Sequence, residues 1–106
     1  MSNYTKGRAL EYQVMHALTD KGYHCFRSAG SHSPVDVLAV RRGECLAIQA
    51  KTGGVISAKD WNILWDICQE IDYTPVLVER DRGLKFHIIT GPREKRGVYP
   101  WKEWEP

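Results

Sequence analysis

The sequence predicts a single α/β domain, a small mixed β-sheet flanked by helices. Three observations carry that expectation. Short apolar, β-branched runs lie at Val35–Val40, Cys45–Lys51, Thr74–Glu79 and Leu84–Thr90, each bounded by turn residues. Two longer segments, near residues 5–21 and 58–71, repeat apolar residues at the helical period. The length of 106 residues suits one domain, with a core over about residues 5–90 and a C-terminal tail over 91–106. A chain of this size buries somewhat over ~60% of its unfolded surface, enough for a real but small core.

The elements follow in order. Asn3 or Thr5 can cap a first helix running to about Lys21, where Lys21-Gly22 is a stop signal. Leu10, Val14, Ala17 and Leu18 form its apolar stripe. Glu11 falls two turns below Leu18, at the edge of that stripe, so it should lean toward whatever the helix packs on. Tyr23 to Ser28 reads as a short strand, and Ala29 to Pro34 as a loop of small residues suited to approaching a phosphate backbone. His32, alone in that loop, is read as a surface residue and not as a general base.

Val35–Val40 and Cys45–Lys51 are adjacent strands joined by a tight turn at Arg42-Gly43. Thr52-Gly53-Gly54 breaks the second of them. Ser57 then caps a second helix, Ala58 to Ile71, with Asp60 as its capping-box acid. The apolar residues of this helix, Trp61 and Trp65 among them, spread over about 200° at ~100° per residue. A helix that merely covers a sheet needs about half that width. A symmetric dimer interface is the economical explanation, and a tail folded back over the helix is the alternative. Thr74–Glu79 and Leu84–Thr90 form the last hairpin around Arg80–Gly83. In the tail, Trp101 and Trp104 argue against pure disorder. They could dock on the body, on a partner subunit or on DNA.

Composition is that of a soluble globular chain, 42% apolar and 26% charged. No run approaches the ~18 apolar residues of a membrane span, and the N-terminus lacks an apolar signal core. Cys25, Cys45 and Cys68 fit neither a disulfide framework nor a zinc pattern, and read as reduced core residues. A cytoplasmic protein is expected. The net charge of +2 is too mild to prove a nucleic-acid partner. The basic excess nevertheless lies in the first half, where Lys6, Arg8, Lys21, Arg27, Arg41, Arg42 and Lys51 face only Glu11, Asp20, Asp36 and Glu44. There is no glycine-rich nucleotide-binding string.

Three polar residues interrupt the central apolar hairpin: Asp36, Gln49 and Lys51. With period-two alternation, Gln49 and Lys51 face one side, and Ile48 and Ala50 the other. Such groups are costly to bury without a task or a partner, so they mark a candidate site; a structural ion-pair cluster is the bland alternative. Val35-Asp36 followed by Gln49-Ala50-Lys51 resembles the PD-(D/E)XK nuclease signature. Glu11 on the first helix and the run Arg27 to Ser31 before Asp36 narrow the resemblance to the archaeal-type Holliday junction resolvases, over about residues 6–71. Two departures stand out: Val35 replaces Pro, and Gln49 replaces an acidic residue.

That resemblance implies a restriction-endonuclease-like core and a structure-specific, metal-dependent DNA endonuclease. It implies a homodimer that resolves four-way junctions by symmetric paired nicking. Glu11, Asp36, the Gln49 side-chain carbonyl and the Ala50 backbone carbonyl would hold Mg²⁺, with Mn²⁺ able to substitute. Lys51 would orient the attacking water or offset phosphate charge. Arg27 with Ser31 or Ser33 would hold the scissile phosphate, and Lys6 and Arg8 would add DNA contacts. No membrane and no small-molecule cofactor are expected. Two other outcomes are a Mrr-like or restriction-type enzyme acting on duplex DNA, and a junction-binding module disabled at Gln49.

Overall fold

The computed structural model describes residues 3–28, 33–53 and 55–106, with side chains from residue 7 onward. The element order is α1 (Asn3–Thr19), β1 (His24–Arg27), β2 (Val37–Arg41), β3 (Glu44–Lys51), α2 (Ala58–Ile71), β4 (Thr74–Arg80), β5 (Leu84–Ile89) and β6 (Trp101–Trp104). The strands form one sheet in the order β1-β2-β3-β4-β5-β6. Only β3 and β4, joined through α2, run parallel; the other neighbours are antiparallel. This is the expected mixed sheet with a helix on each face.

Alternation along the strands builds two cores. Leu10, Val14 and Leu18 of α1 are fully buried against Val37, Ala39, Ile48, Val76 and Val78. Trp61, Leu64 and Cys68 of α2 pack on the other face with Ala47, Leu77 and Ile89. Burial pushes the Cys68 thiol up to about 11, so it behaves as a small core residue. The helix ends are local chemistry. Ser57 accepts the Asp60 amide at the start of α2. After α1, Gly22 sits at φ +90° while Tyr23 N–H bonds back to Leu18.

The tail adds one strand that the sequence did not predict and takes up one of the positions it left open. The tail forms a sixth strand, paired with β5 through Ile89–Trp101 and Phe86–Trp104. The tail also covers one flank of α2, where Trp61 lies under Trp101 and Tyr99 with ring centroids 5.6 and 6.1 Å away. Part of the broad apolar face of α2 is therefore filled from within the chain. The approach is fastened by polar bonds. Trp61 Nε1 donates to Gly91 O at 2.9 Å. Asn62 both donates to Arg93 O (3.1 Å) and accepts from Arg93 N–H (2.7 Å). The Arg93 guanidinium donates to Ile56 O at 2.9 Å. What stays uncovered on α2 is a stripe four residues apart, with Ile63 38% and Ile71 46% exposed and Ile67 half-buried between them.

Asn62→Ala removes both bonds to the Arg93 backbone. We expect a loss of about 1–2 kcal/mol in unfolding free energy. Hydrogen exchange should report lost protection in β6 well before β3; uniform loss across the sheet would contradict this anchoring.

Candidate active site at the open end of the β2–β3 hairpin

The hairpin is clamped at its turn. Arg41 grips Glu44 through two N–H groups at 3.1 and 2.8 Å. It also stacks 4.2 Å over Tyr23, whose hydroxyl donates to Glu44. Burial, together with the Glu44 carboxylate, pushes the Tyr23 hydroxyl up to about 12. Arg41 is thus engaged within the fold at the end of β3 remote from Lys51.

At the other end Asp36 enters the sheet. Its N–H donates to Ile48 O and its carbonyl accepts from Ser28 N–H, both at 2.8 Å. The residue is tied by its main chain to both flanking segments before its side chain is considered. Oδ2 accepts from Ala50 N–H at 2.9 Å and from Gln49 Nε2 at 3.0 Å. Oδ1 has no hydrogen bond among the described residues. Gln49 Nε2 also reaches the Ala50 carbonyl at 3.3 Å. Partial burial pushes the Asp36 carboxyl from an ordinary 3.8 up to about 6. The Ala50 amide bond opposes that rise, nearby Glu11 adds to it and Arg27 offsets it.

Glu11 does lean inward from α1, and it meets Arg27. The guanidinium Nε lies 2.7 Å from Glu11 Oε1, and both side chains are more than four-fifths buried. Asp36, Gln49, Ala50, Glu11 and Arg27 therefore form one neighbourhood. Lys51 ends β3, exposed and with no ion pair or hydrogen bond among the described residues. Ser33 is exposed at its border and accepts Val35 N–H at 3.2 Å; Arg8 is exposed on α1. Ser31, His32 and the Lys6 side chain lie outside the described residues.

The donor set suits a hard divalent cation. Asp36 offers an oxygen with no hydrogen-bond partner among the described residues, on a carboxyl whose charged form partial burial disfavours. A second carboxylate and two neutral carbonyl oxygens stand beside it, and hard cations take such ligands with water. Gln49, as oriented, turns its amide NH₂ toward Asp36; rotation about its last torsion presents the oxygen instead. Among the described residues no three acidic or histidine side chains cluster, so any ion relies on carbonyls and water.

The sequence model of the archaeal Holliday junction resolvases (Hjc) matches residues 2–59. This chain belongs to that family. It is therefore an endonuclease of the resolvase type, with Asp36, Gln49 and Lys51 inside the matched span. None of the curated proteins matches the chain. Among solved structures, the resolvase Hjc of the archaeal hyperthermophile Archaeoglobus fulgidus superposes with a TM-score of 0.65 over 72% of this chain and 70% of its own, at 22% identity. The fold is thus that of the resolvases, as the hairpin suggested.

Two residues near the site, Glu79 at the end of β4 and His87 in β5, belong to no motif visible in the sequence. His87 is the one buried polar side chain among the described residues. A lone His in the apolar run Leu-Lys-Phe-His-Ile-Ile is the same kind of signal as Asp36. Its distance from the motif in sequence hid it.

Asp36 binds its proton more tightly folded than unfolded, so its ionisation opposes folding. The penalty is absent below pH 3.8 and complete above about 6. We expect Asp36→Asn to raise stability by roughly 1–2 kcal/mol at pH 7.5, allowing for the carboxyl's partial exposure, and by nothing at pH 3.5. Thermal melts at the two pH values check this; equal effects at both would contradict the buried-carboxyl account.

Proposed function

We propose that this chain is a structure-specific, divalent-metal-dependent nuclease that cuts four-way DNA junctions in symmetric pairs as a homodimer. The observation that supports it most is the meeting of Asp36, Gln49 and the Ala50 carbonyl beside Lys51 and the Glu11–Arg27 pair. Asp36, Glu11, Gln49 and the Ala50 carbonyl would hold the ion, Mg²⁺ or Mn²⁺. When bound, such an ion polarises a phosphoryl oxygen and lowers the pKa of water.

The chain's own residues do the rest. Asp36 is fixed before any ligand arrives, because its main chain is bonded on both sides. Preorganisation of this kind spares reorganisation during reaction. Arg27 presents a planar fork of donors, and one nitrogen already holds Glu11. Through the Glu11 bond Arg27 joins α1 to β1, and its guanidinium would hold the scissile phosphate. Lys51 projects an ammonium from the end of β3, where it offsets negative charge developing on the phosphate. Ser33 borders the same entrance.

The second copy would dock on the Ile63–Ile67–Ile71 stripe of α2, continued by Phe26, which is 60% exposed. Phe26, Ser33, Val35, Leu38 and Ile71 line one groove, so this surface runs into the phosphate-binding side of the site. Paired cuts in a four-way junction need two sites, and each chain supplies one.

Gln49 favours one second reading, a junction-binding module without cleavage. Its amide donates to Asp36 where an acidic residue would repel it. It also leaves two carboxylates, not three, against a doubly charged ion. A labelled four-way junction incubated with Mg²⁺, Mn²⁺ or EDTA, beside linear duplex and the Asp36→Asn variant, separates the readings. Paired nicks that need metal and Asp36 and spare the duplex are expected. Equal cutting of duplex sinks the resolvase reading, and tight binding without nicks under any metal moves the assignment to the module.

Two variants extend the test. Gln49→Glu should cut at least as well as the native chain and reach half-maximal rate at several-fold lower Mg²⁺; a large loss would give the amide a specific task. Ile71→Asp should shift sedimentation from dimer to monomer while α2 keeps its helicity; an unchanged dimer would place the interface elsewhere.

A further inference from the structure

Lys51 has a carboxylate for a neighbour on the next strand. In the parallel β3–β4 ladder Lys51 lies directly beside Glu79, just as Gln49 lies beside Leu77. Partners in register share a face, with their Cβ atoms about 5 Å apart. Leu77 belongs to the core beneath α2, so Lys51 and Glu79 continue that same face to the rim of the sheet.

Glu79 does not swing freely there. Its Oε1 lies 3.1 Å from His87 Nε2. His87 is only 5% exposed, and its ring lies flat on Trp101, with centroids 4.0 Å apart and planes 16° from parallel. Trp101 is in turn packed on Trp61. The other cation in register with Glu79, Lys85, is instead paired with Asp81 at 3.4 Å. A row therefore runs across four strands, Trp101–His87–Glu79–Lys51. Its inner part is held by a hydrogen bond and a ring stack, and its outer end is the ammonium of the site.

The row is expensive to keep. The Nδ1 atom of His87 is buried without a partner among the described residues, and an unsatisfied buried nitrogen calls for an explanation. An apolar residue on β5 would pack there without that cost. The bond to Glu79 is what the imidazole adds.

We propose that Glu79, held by His87, is a positioning residue for Lys51. Lys51 and Glu79 are not ion-paired as their side chains stand, but the register keeps the held carboxylate within reach of the lysine stem, and its charge would bias the ammonium toward one direction beside the phosphate-binding residues. A freely rotating lysine would have to lose that rotamer freedom during the reaction. Glu79, His87 and Trp101 all lie beyond the span matched by the family, residues 2–59, so the support for Lys51 comes from the chain's own second half.

The inference rests on the endonuclease reading of the site. The test uses three variants of the full chain. Glu79→Gln keeps shape and can still accept from His87 but carries no charge. His87→Phe keeps the stack on Trp101 but cannot hold Glu79. His87→Gln restores an N–H donor. Nicking rate at saturating Mg²⁺, junction Kd in EDTA and melting temperature are measured for each. Removing a group that orients a catalytic residue lowers rate by roughly ten-fold or more. We expect about that loss in Glu79→Gln and His87→Phe, with Kd and melting temperature near native, and substantial recovery in His87→Gln. Native rates in both Glu79→Gln and His87→Phe overturn the inference, as does a rate loss matched by loss of binding or fold. Failure of the native chain to nick would instead refute the endonuclease reading, and this inference would fall with it.

Discussion

The constraint on which the rest of the structure depends is the placement of one carboxylate inside a sheet. Asp36 stands where β2 begins, with its N–H on β3, its carbonyl on the segment after β1 and Oδ2 on the Ala50 amide. A group whose charge is disfavoured by burial persists there because its surroundings hold it on three sides. α1 brings Glu11 and β1 brings Arg27 up to it as a mutually neutralising pair, and the Arg41–Glu44–Tyr23 clamp fixes the hairpin at its far end. Each of these elements limits where the carboxylate can go.

Gln49 sits at the centre of a trade. Its neutral NH₂ donates to the Asp36 carboxylate, which an ionised acidic residue at that place could not do. The same choice halves the negative charge contributed by the central strands. A site of this kind tolerates standing empty better than a three-carboxylate site, and holds a cation less tightly once filled. The strength of its metal binding and its stability in the empty state are therefore set by one residue in opposite senses.

Much of this was legible in the sequence because it is local. The span of α2 and its Ser57 cap follow from periodicity and capping chemistry. The β2–β3 hairpin follows from β-branched runs around Arg42-Gly43, and the site from polar residues set in those runs. The rest depends on pairings that no local pattern encodes. Nothing in Trp101–Trp104 alone announces a strand; its partner β5 supplies the hydrogen bonds. Nor could the neighbourhood of Lys51 and Glu79 be read, since parallel register is decided by how α2 crosses the sheet. Arg41 shows the reverse error: counted as part of a basic surface, it is occupied by Glu44 and Tyr23. Of the two explanations offered for the width of the α2 face, the tail accounts for the part covered by Tyr99 and Trp101.

The sixth strand has a consequence for how the chain behaves among its copies. A sheet that ended at β5 would present Leu-Lys-Phe-His-Ile-Ile as an open edge, a long apolar template for another chain's backbone. β6 replaces it with a short border of four residues whose centre is Lys102-Glu103, both exposed. Charged, brief edges discourage indiscriminate strand addition. By covering β5, the segment that Trp101 and Trp104 fasten leaves other chains a shorter and more charged edge to pair with.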